Sequence, residues 1–265
     1  MEDHVGALHR YTSKRTARGA GGRCAARAFG LMDLLVSILI VSILIAVLLP
    51  ALAKVRESAR RVVCGSNLRQ VGLGIQMYSD DWDTELPWSV YLGQSPDGSD
   101  DHSAQMNRTR VSLSKARTPN GFFRQDNRAI WDGLGLLFDQ EYLGYEVFYC
   151  PSHHGEHPLS RYTGMWGDDT TETIVSNFQY RGRGPGGTRM LDQIRTSAAL
   201  VSDALSSVDD YNHIVGTNVL RVGGSVRWTP DEPGNSLASR LHDEALPEGG
   251  SVSNLWNTLD SGGLD

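Results

Sequence analysis

An uncharged apolar run near the N-terminus constrains this chain more than any other feature. Residues 34–53 read LLVSILIVSILIAVLLPALA and carry no charge. As a helix, a run of this length spans about 30 Å, the thickness of the hydrocarbon core of a bilayer, and core helices of soluble proteins are rarely so uniform. Ser37 and Ser42 fit that environment, because a helical hydroxyl can donate to a carbonyl one turn back. The run therefore predicts a membrane-spanning helix.

The flanking residues extend this prediction on both sides. Residues 1–28 carry six basic and two acidic residues without apolar periodicity, which is typical of a basic leader on the cytoplasmic side. Residues 50–80 continue as an amphipathic helix, with a kink predicted at Pro50 and a favourable i,i+4 pair of Glu57 and Arg61. Its predicted apolar face comprises Leu52, Val55, Ala59, Val62, Val71, Ile75 and Tyr78. An ordinary secretory signal is the alternative, but its apolar region is shorter and ends at a cleavage site.

The residues that open the apolar helix form a motif. The stretch from Ala28 to Asp33 reads AFGLMD and resembles the N-terminal motif of type IV prepilins and type II secretion pseudopilins. In that family a small residue, normally Gly, precedes Phe-Thr-Leu-x-Glu and an apolar helix. Phe29 is then the first mature residue, and Asp33 and Pro50 fall at the fifth and twenty-second mature positions. The chain departs from the family in three places, because Ala28 replaces Gly, Gly30 replaces Thr and Asp33 is one methylene shorter than Glu.

The resemblance implies a processing pathway and a mode of assembly. A prepilin peptidase would cut between Ala28 and Phe29, and Phe29 would be N-methylated. Asp33 would pair with the N-terminal ammonium of a neighbouring subunit and set the register of assembly. The alternative for Asp33 is a carboxylate that snorkels to the lipid headgroups. The implied partners are like pilin or pseudopilin subunits, the peptidase, an inner-membrane assembly platform and membrane lipid.

The domain organisation follows from these boundaries. The chain divides into a basic leader (1–28), a transmembrane helix (29–49), its amphipathic continuation (50–80) and an exported globular domain (81–265). Without the leader the chain keeps 237 residues and a net charge of −10, which argues against nucleic acid as a partner. The expected location is the inner membrane, as a single-pass protein with a cytoplasmic N-terminus and an exported C-terminal domain.

The exported domain reads as a mixture of loops and short strands. Polar residues predict long loops over 80–128 and a loose tail over 231–265. Short strands are predicted over 174–180 and 198–203. Residues 217–222 and 225–229 flank Gly223-Gly224 and predict a tight hairpin, because both glycines can take positive φ. The predicted fold class is α+β, with the long N-terminal helix packed on a mainly antiparallel β-sheet, as in pilins.

Segments at both ends and in the middle of the chain are similar to the large prepilin-like proteins of planctomycete-type bacteria. His213-Ile-Val-Gly-Thr-Asn-Val-Leu220 with Gly224-Ser-Val resembles their C-terminal H-x-x-G-x-N-V-L-x-x-D-G-S-V segment. Cys64 followed by Asn-Leu-Arg-Gln and the element Phe148-Tyr-Cys-Pro-Ser also match. Gly223 stands where those proteins usually have Asp, so any ion or turn contact of that Asp is absent here.

Two cysteines remain once Cys24 leaves with the leader. Cys64 and Cys150 are an even number in a compartment that permits disulfides, and a bridge between them would tie the helix to the domain. It would contribute about 2–4 kcal/mol to stability. The alternative is a pair of buried thiols that pack like small hydrophobes.

Sequence signals for a metal or nucleotide site are weak, and we expect no resident metal, no cofactor and no catalysis. His153 and His157 lie four apart beside Cys150, but Pro and Gly among them favour a polar surface loop over a zinc site. Residues 181–187 (RGRGPGG) lack the Lys-Ser/Thr of a phosphate loop and predict a turn. Calcium is considered at three acidic pairs, for which solvated surface acids are the default. These pairs are Asp80-Asp81, Asp168-Asp169 and Asp209-Asp210.

Three functional hypotheses result. The leading one is a prepilin-like structural subunit of a type II secretion pseudopilus or a type IV pilus-like filament, whose apolar helices bundle in the filament core. The second is a permanently anchored envelope protein whose exported domain binds a ligand or polysaccharide without a filament. The third is a membrane-anchored zinc hydrolase that uses His153 and His157.

Overall fold

The structure is a computed structural model that describes residues 30–92, 106–112, 129–167, 172–203, 212–213, 215–231 and 252–261. The chain divides into two compact units, Met1–Pro50 and Ala51–Asp265. The predicted cleavage site at Ala28 and Phe29 lies outside the described residues, as do most of the loops predicted over 80–128. The predicted fold class is confirmed, since a long N-terminal helix is combined with two antiparallel sheets.

Helix α1 extends from Leu31 to Asp81, and its part up to Pro50 belongs to the first unit. Every side chain from 31 to 50 is exposed. The Ser37 and Ser42 hydroxyls each donate to the carbonyl four residues back, at 2.7 Å, as predicted. Among the described residues, α1 is the one helix long and apolar enough to cross a membrane. Pro50 lies inside the helix, and the kink predicted there stays a prediction.

In the second unit, α1 buries one face against the domain. The core side chains on this face are Cys64, Leu68, Val71, Ile75 and Tyr78. The predicted face is therefore correct for its last three members and wrong for the first four: Leu52, Val55 and Val62 are 45%, 62% and 72% exposed, and Ala59 is exposed as well. Successive helical residues turn by about 100°, which places Val62 about 160° from Cys64, on the other side of the helix. The apolar residues of α1 form two faces, and the domain covers one of them.

Within the residues that the structure describes, seven strands form two antiparallel sheets. The first sheet has the order β2 (Ala129–Trp131), β1 (Arg108–Ser112) and β3 (Ile174–Val175). The second has the order β4 (Gln179–Tyr180), β5 (Ala199–Ser202), β6 (Gly216–Arg221) and β7 (Val226–Pro230). The strand predicted over 174–180 is thus two strands in different sheets. Ser176 interrupts it, because its hydroxyl bonds the carbonyls of Asn107 and Phe178.

The β6–β7 hairpin is confirmed, with Asn218 opposite Trp228 and Leu220 opposite Val226. Its turn differs from the predicted two-residue type. The Gly224 N–H donates to the Arg221 carbonyl at 2.8 Å, and Gly224 alone of the two glycines has a positive φ, of 79°. The connection is therefore a three-residue loop in which one left-handed residue follows a turn.

Short helices complete the described part of the domain. These are α2 (Gly135–Asp139), α3 (Leu159–Tyr162), α4 (Val252–Ser261) and single 3-10 turns at Val90–Leu92, Tyr145–Phe148 and Leu191–Gln193. Helix α4 corrects the prediction of a loose tail for residues 252–261. Leu255, Trp256 and Leu259 fall on one helical face and are buried. The Asp260 carboxylate also accepts from the Ala199 N–H and pairs with Arg181, each at 2.8 Å.

Gly135, the first residue of α2, is held against β1. A Cβ at this position would lie 1.8 Å from the Thr109 carbonyl oxygen, so the backbone would have to move. We expect Gly135→Ala to lower the free energy of unfolding by about 3 kcal/mol. Urea denaturation of the detergent-solubilised full chain, followed by circular dichroism, measures this. Gly164→Ala is the matched control, since nothing lies within 4 Å of its Cβ; equal stability of the two variants would contradict the prediction.

Candidate functional site

Two cysteines, a histidine and a carboxylate form a buried cluster at α1 and the four-stranded sheet. Cys64 is on the buried face of α1, and Cys150 follows the 3-10 turn at Tyr145–Phe148. Asp203 follows β5, and His213 precedes β6. All four are at most 5% exposed. Cys150 is positioned by a local turn that contains Pro151. In this turn the Cys150 carbonyl accepts the His153 N–H at 3.1 Å.

His213 lies between two carboxylates. Its Nδ1 is 2.6 Å from Glu57 Oε1, and its Nε2 is 3.3 Å from Asp203 Oδ2 and 3.6 Å from Cys150 Sγ. Burial disfavours a charged ring, but the hydrogen bonds and charges of Asp203 and Cys150 outweigh it and raise the pKa of His213 to about 10. Glu57 also accepts from the Ser152 hydroxyl at 2.9 Å. Partial burial acts to raise the pKa of Glu57, but the hydrogen bonds from His213 and Ser152 outweigh it, and the pKa of Glu57 is lowered.

Asp203 is held by the first residues of β6. Its Oδ1 accepts from the Asn218 N–H at 2.7 Å and from the Thr217 hydroxyl. Its Oδ2 accepts from Asn218 Nδ2 at 2.7 Å and from Cys64 Sγ at 3.0 Å. A fully buried carboxylate is thus surrounded by donors, which offsets the cost of its desolvation.

The two thiols have different environments. Burial, Cys150 and the Asp203 charge raise the pKa of Cys64 well above its usual range. Burial also opposes ionisation of Cys150, but hydrogen bonds to Cys64 and His213 lower its pKa to about 7. The Ser152 N–H points at Cys150 Sγ from 3.4 Å.

The fold brings together Cys64 and Cys150, the two cysteines for which a disulfide is predicted. Their sulfurs lie within 4.8 Å of each other, and both are free, buried thiols. The alternative of two buried thiols therefore describes this structure, and the disulfide stays a prediction. In either form the cluster links α1 to the sheet and to the Cys150 turn.

His153 and His157 lie beside the cluster, with their ring nitrogens engaged in other contacts. His153 Nδ1 is 2.7 Å from Asn212 Oδ1, and its Nε2 accepts the His157 N–H at 3.2 Å. His157 Nδ1 is 2.7 Å from the Tyr162 hydroxyl. These bonds organise a half-exposed turn, which agrees with the predicted polar loop.

The other predicted site residues stand apart from the cluster. Asp33 is in the first turn of α1, where its Oδ2 accepts the Gly30 N–H at 3.2 Å. Of the acidic pairs considered for calcium, Asp80-Asp81 ends α1, and Asp81 accepts the Tyr142 hydroxyl at 2.5 Å. The pairs Asp168-Asp169 and Asp209-Asp210 lie outside the described residues. The segment 181–187 contains a turn closed by Gly184 and Gly187, as predicted.

The sequence interpretation missed Glu57 and Asp203 as members of a site. The predicted partner of Glu57 is Arg61, and the Arg61 charge does help to lower the pKa of Glu57. The direct contact of Glu57 is with His213, and Arg61 stacks on Trp228 at 4.1 Å from the ring centroid. Asp203 offers one usable signal, because a carboxylate that directly follows a short, mainly apolar strand (Ala199–Ser202) is placed at the edge of the core. His213 was expected to bond a loop, and it bonds a helix as well.

The long N-terminal apolar helix and the domain with two antiparallel sheets define a class of proteins in which one N-terminal segment is suited to anchoring in a membrane. Within that class, the family model described as "Protein of unknown function (DUF1559)" matches residues 53–199. The match covers more than half of the chain, and the chain belongs to this family, which is typical of planctomycete-type prepilin-like proteins. Searches of curated proteins and of solved structures found no match.

Proposed function

We propose that this chain is a prepilin-like structural subunit, cut between Ala28 and Phe29 and assembled through α1 into a pseudopilus or pilus-like filament. The observation that carries the proposal is the exposure of every side chain from 31 to 50, a segment of α1 that is apolar except for Asp33, Ser37 and Ser42. Such a surface requires lipid before assembly and neighbouring helices afterwards. The prepilin-like character of the family supports the same function.

A second apolar surface supports helix-to-helix contact beyond the membrane segment. The face of α1 opposite its buried face carries a stripe of exposed side chains, Leu52, Val55, Val62, Leu73 and Met77. We call these five residues the outer stripe. The domain leaves this stripe free among the described residues, which fits a surface that other α1 helices cover in an assembly.

Asp33 has a local role that is compatible with assembly. Its bond to the Gly30 N–H satisfies one of the free donors at the start of α1. In the proposal this carboxylate, close to the new N-terminus, also attracts the ammonium of Phe29 on a neighbouring subunit. Lipid, the peptidase and the inner-membrane platform are the other partners, with the N-terminus cytoplasmic and the domain exported. No catalysis and no nucleic acid enter the proposal.

Mass spectrometry of the N-terminal peptide from the membrane-extracted native protein tests the processing step. We expect a peptide that begins at Phe29 and is heavier by one methyl group, about 14 Da. Ala28→Leu, which enlarges the residue before the cut, should retain the leader and serves as the comparison. A native peptide that still contains Arg27 would contradict the proposal and favour a permanently anchored protein.

Substitution in the outer stripe tests the assembly step. We expect Val62→Asp to reduce cross-linked multimers in native membranes by at least about tenfold, because a carboxylate buried unpaired in an apolar interface costs several kcal/mol. The readout is the multimer ladder after chemical cross-linking. Val215→Asp is the control, since Val215 is also exposed, at 50% against 72% for Val62, but lies outside α1. Equal ladders for both variants and the native chain would contradict assembly through this face.

One observation favours the second hypothesis, an anchored binding protein. An open groove of about 830 Å³ is lined by aromatic and charged side chains, among them Trp131, Phe138, Trp166, Arg110 and Glu141. Aromatic rings with flanking polar groups are a usual lining for sugar or peptide ligands. Quenching of tryptophan fluorescence by envelope polysaccharide, lost in Trp131→Ala, would support this function, and no response would count against it.

A further inference from the structure

Four donor atoms meet in the buried cluster at distances that suit a metal ion. Cys64 Sγ, Cys150 Sγ and His213 Nε2 all lie within 4.8 Å of one another. Asp203 Oδ2 is 3.0 Å from the first and 3.3 Å from the third, and Cys150 Sγ is 3.6 Å from His213 Nε2. Ligand atoms at 2.0–2.3 Å from a tetrahedral zinc ion are about 3.3–3.8 Å apart. The separations between the donor atoms of the cluster are close to that range.

We propose that the cluster is a structural zinc site in which Cys64 and Cys150 thiolates, His213 Nε2 and an Asp203 carboxylate oxygen bind one Zn²⁺. Two sulfurs, one imidazole and one oxygen are a donor set that zinc accepts, whereas calcium and magnesium prefer oxygen alone. The site goes beyond the proposed assembly and does not depend on it. The ion would join α1, the Cys150 turn and the β5–β6 region of the sheet.

The surroundings of the donors orient them as a zinc site requires. Glu57 Oε1, at 2.6 Å from His213 Nδ1, accepts a hydrogen bond from that nitrogen and keeps its proton in place, so Nε2 is the nitrogen that would bind metal once its own proton is released. The Ser152 N–H points at Cys150 Sγ from 3.4 Å. Asn218 holds Asp203 through two bonds of 2.7 Å. Hydrogen-bonded ligands of this kind are typical of built metal sites.

Charge and proton balance are consistent with a divalent cation. On binding, the Cys64 and Cys150 thiols and the Nε2 nitrogen of His213 release their protons to solvent, and His213 keeps the Nδ1 proton that it shares with Glu57. Three anionic ligands then face one Zn²⁺ in a region that is at most 5% exposed. The cation thus compensates negative charge that would be costly to bury without it.

Metal analysis of the detergent-extracted full chain tests the site. After exchange into zinc-containing buffer and gel filtration, we expect about one zinc ion per chain. Cobalt(II) in place of zinc should give a thiolate-to-metal absorption band and the strong visible bands of tetrahedral cobalt. Cys64→Ser and Cys150→Ser should each lower the zinc content at least about tenfold, and Glu57→Gln should weaken affinity about 10–100-fold while the ligands stay in place.

The controls separate the site from its alternatives. His154→Ala removes an exposed histidine of the neighbouring turn and should keep the zinc. If the cysteine variants misfold, the zinc affinity of Glu57→Gln and the cobalt absorption spectrum of the wild type still test the proposal. Wild-type protein that is folded but holds less than about 0.1 zinc per chain would overturn the proposal. So would a Cys64–Cys150 disulfide in non-reduced peptides of the native protein, or a folded Cys150→Ser variant with undiminished zinc.

Discussion

Replacement of Asp203 by alanine should lower the free energy of unfolding by about 3–5 kcal/mol. The carboxylate is fully buried and accepts hydrogen bonds from Asn218, Thr217 and Cys64 while it faces His213. The variant would leave the Asn218 N–H buried without this acceptor, and the Thr217 hydroxyl and the Asn218 amide with only their other contacts, to Ser202 and to the Arg61 carbonyl. Each unsatisfied group carries its own desolvation cost. Removal of one member of a buried charged pair is more harmful than loss of a surface pair.

The measurement is urea denaturation of the detergent-solubilised full chain, followed by circular dichroism. Asp192→Ala is the matched control, because the Asp192 carboxylate is exposed and accepts one bond from the Thr84 hydroxyl at 3.1 Å. We expect the control to change stability by less than about 0.5 kcal/mol. A loss of less than about 1 kcal/mol in Asp203→Ala would show that the hydrogen bonds around this carboxylate contribute little. The same urea denaturation in the presence of a metal chelator measures the stability contributed by these hydrogen bonds without any contribution from bound zinc.

Local patterns predicted those parts of the fold that depend on neighbours in sequence. The long helix follows from an uninterrupted apolar run, and the β6–β7 hairpin follows from two apolar stretches around Gly223-Gly224. The turn was assigned too few residues, because two adjacent glycines permit both a two-residue and a three-residue connection. The face of α1 was only half correct, since Val55 and Val62 are as apolar as Val71 but lie on the side away from the sheet.

The cluster could be foreseen only in part, because its contacts join residues far apart in the chain. Cys64 and Cys150 stood out by residue type and His213 by its resemblance to a family segment. Glu57 and His213 are separated by 156 positions, and Cys64 and Asp203 by 139. No periodicity or motif relates such positions; the packing of α1 on the sheet brings them together. Glu57 and Asp203 carry no distinguishing sequence pattern, so they can be recognised as members of a site only in the folded chain.

Asp132 should make the stability of the domain depend on pH. Its Oδ1 accepts the Val90 N–H and its Oδ2 the Ser89 hydroxyl, each at 2.7 Å. Burial raises the pKa of Asp132 from 3.8 to about 7, although both hydrogen bonds act in the opposite direction. Between these values the folded state holds a proton that the unfolded state has lost. Stability therefore falls as pH rises from about 4 to about 7, by up to about 4 kcal/mol, and levels off above that range.

Asp132→Asn removes this titration and isolates it from every other group. We expect the stability of wild type relative to Asp132→Asn to decline by about 4 kcal/mol from pH 4 to pH 8 in urea titrations. The zinc-site residues titrate equally in both proteins, so their effect cancels in the difference. Asp139→Asn, at an exposed carboxylate of α2, is the control and should stay within about 0.5 kcal/mol of wild type, as surface substitutions usually do. A constant difference for Asp132→Asn as well would mean that Asp132 stays ionised in the folded protein and that its two donors outweigh its burial.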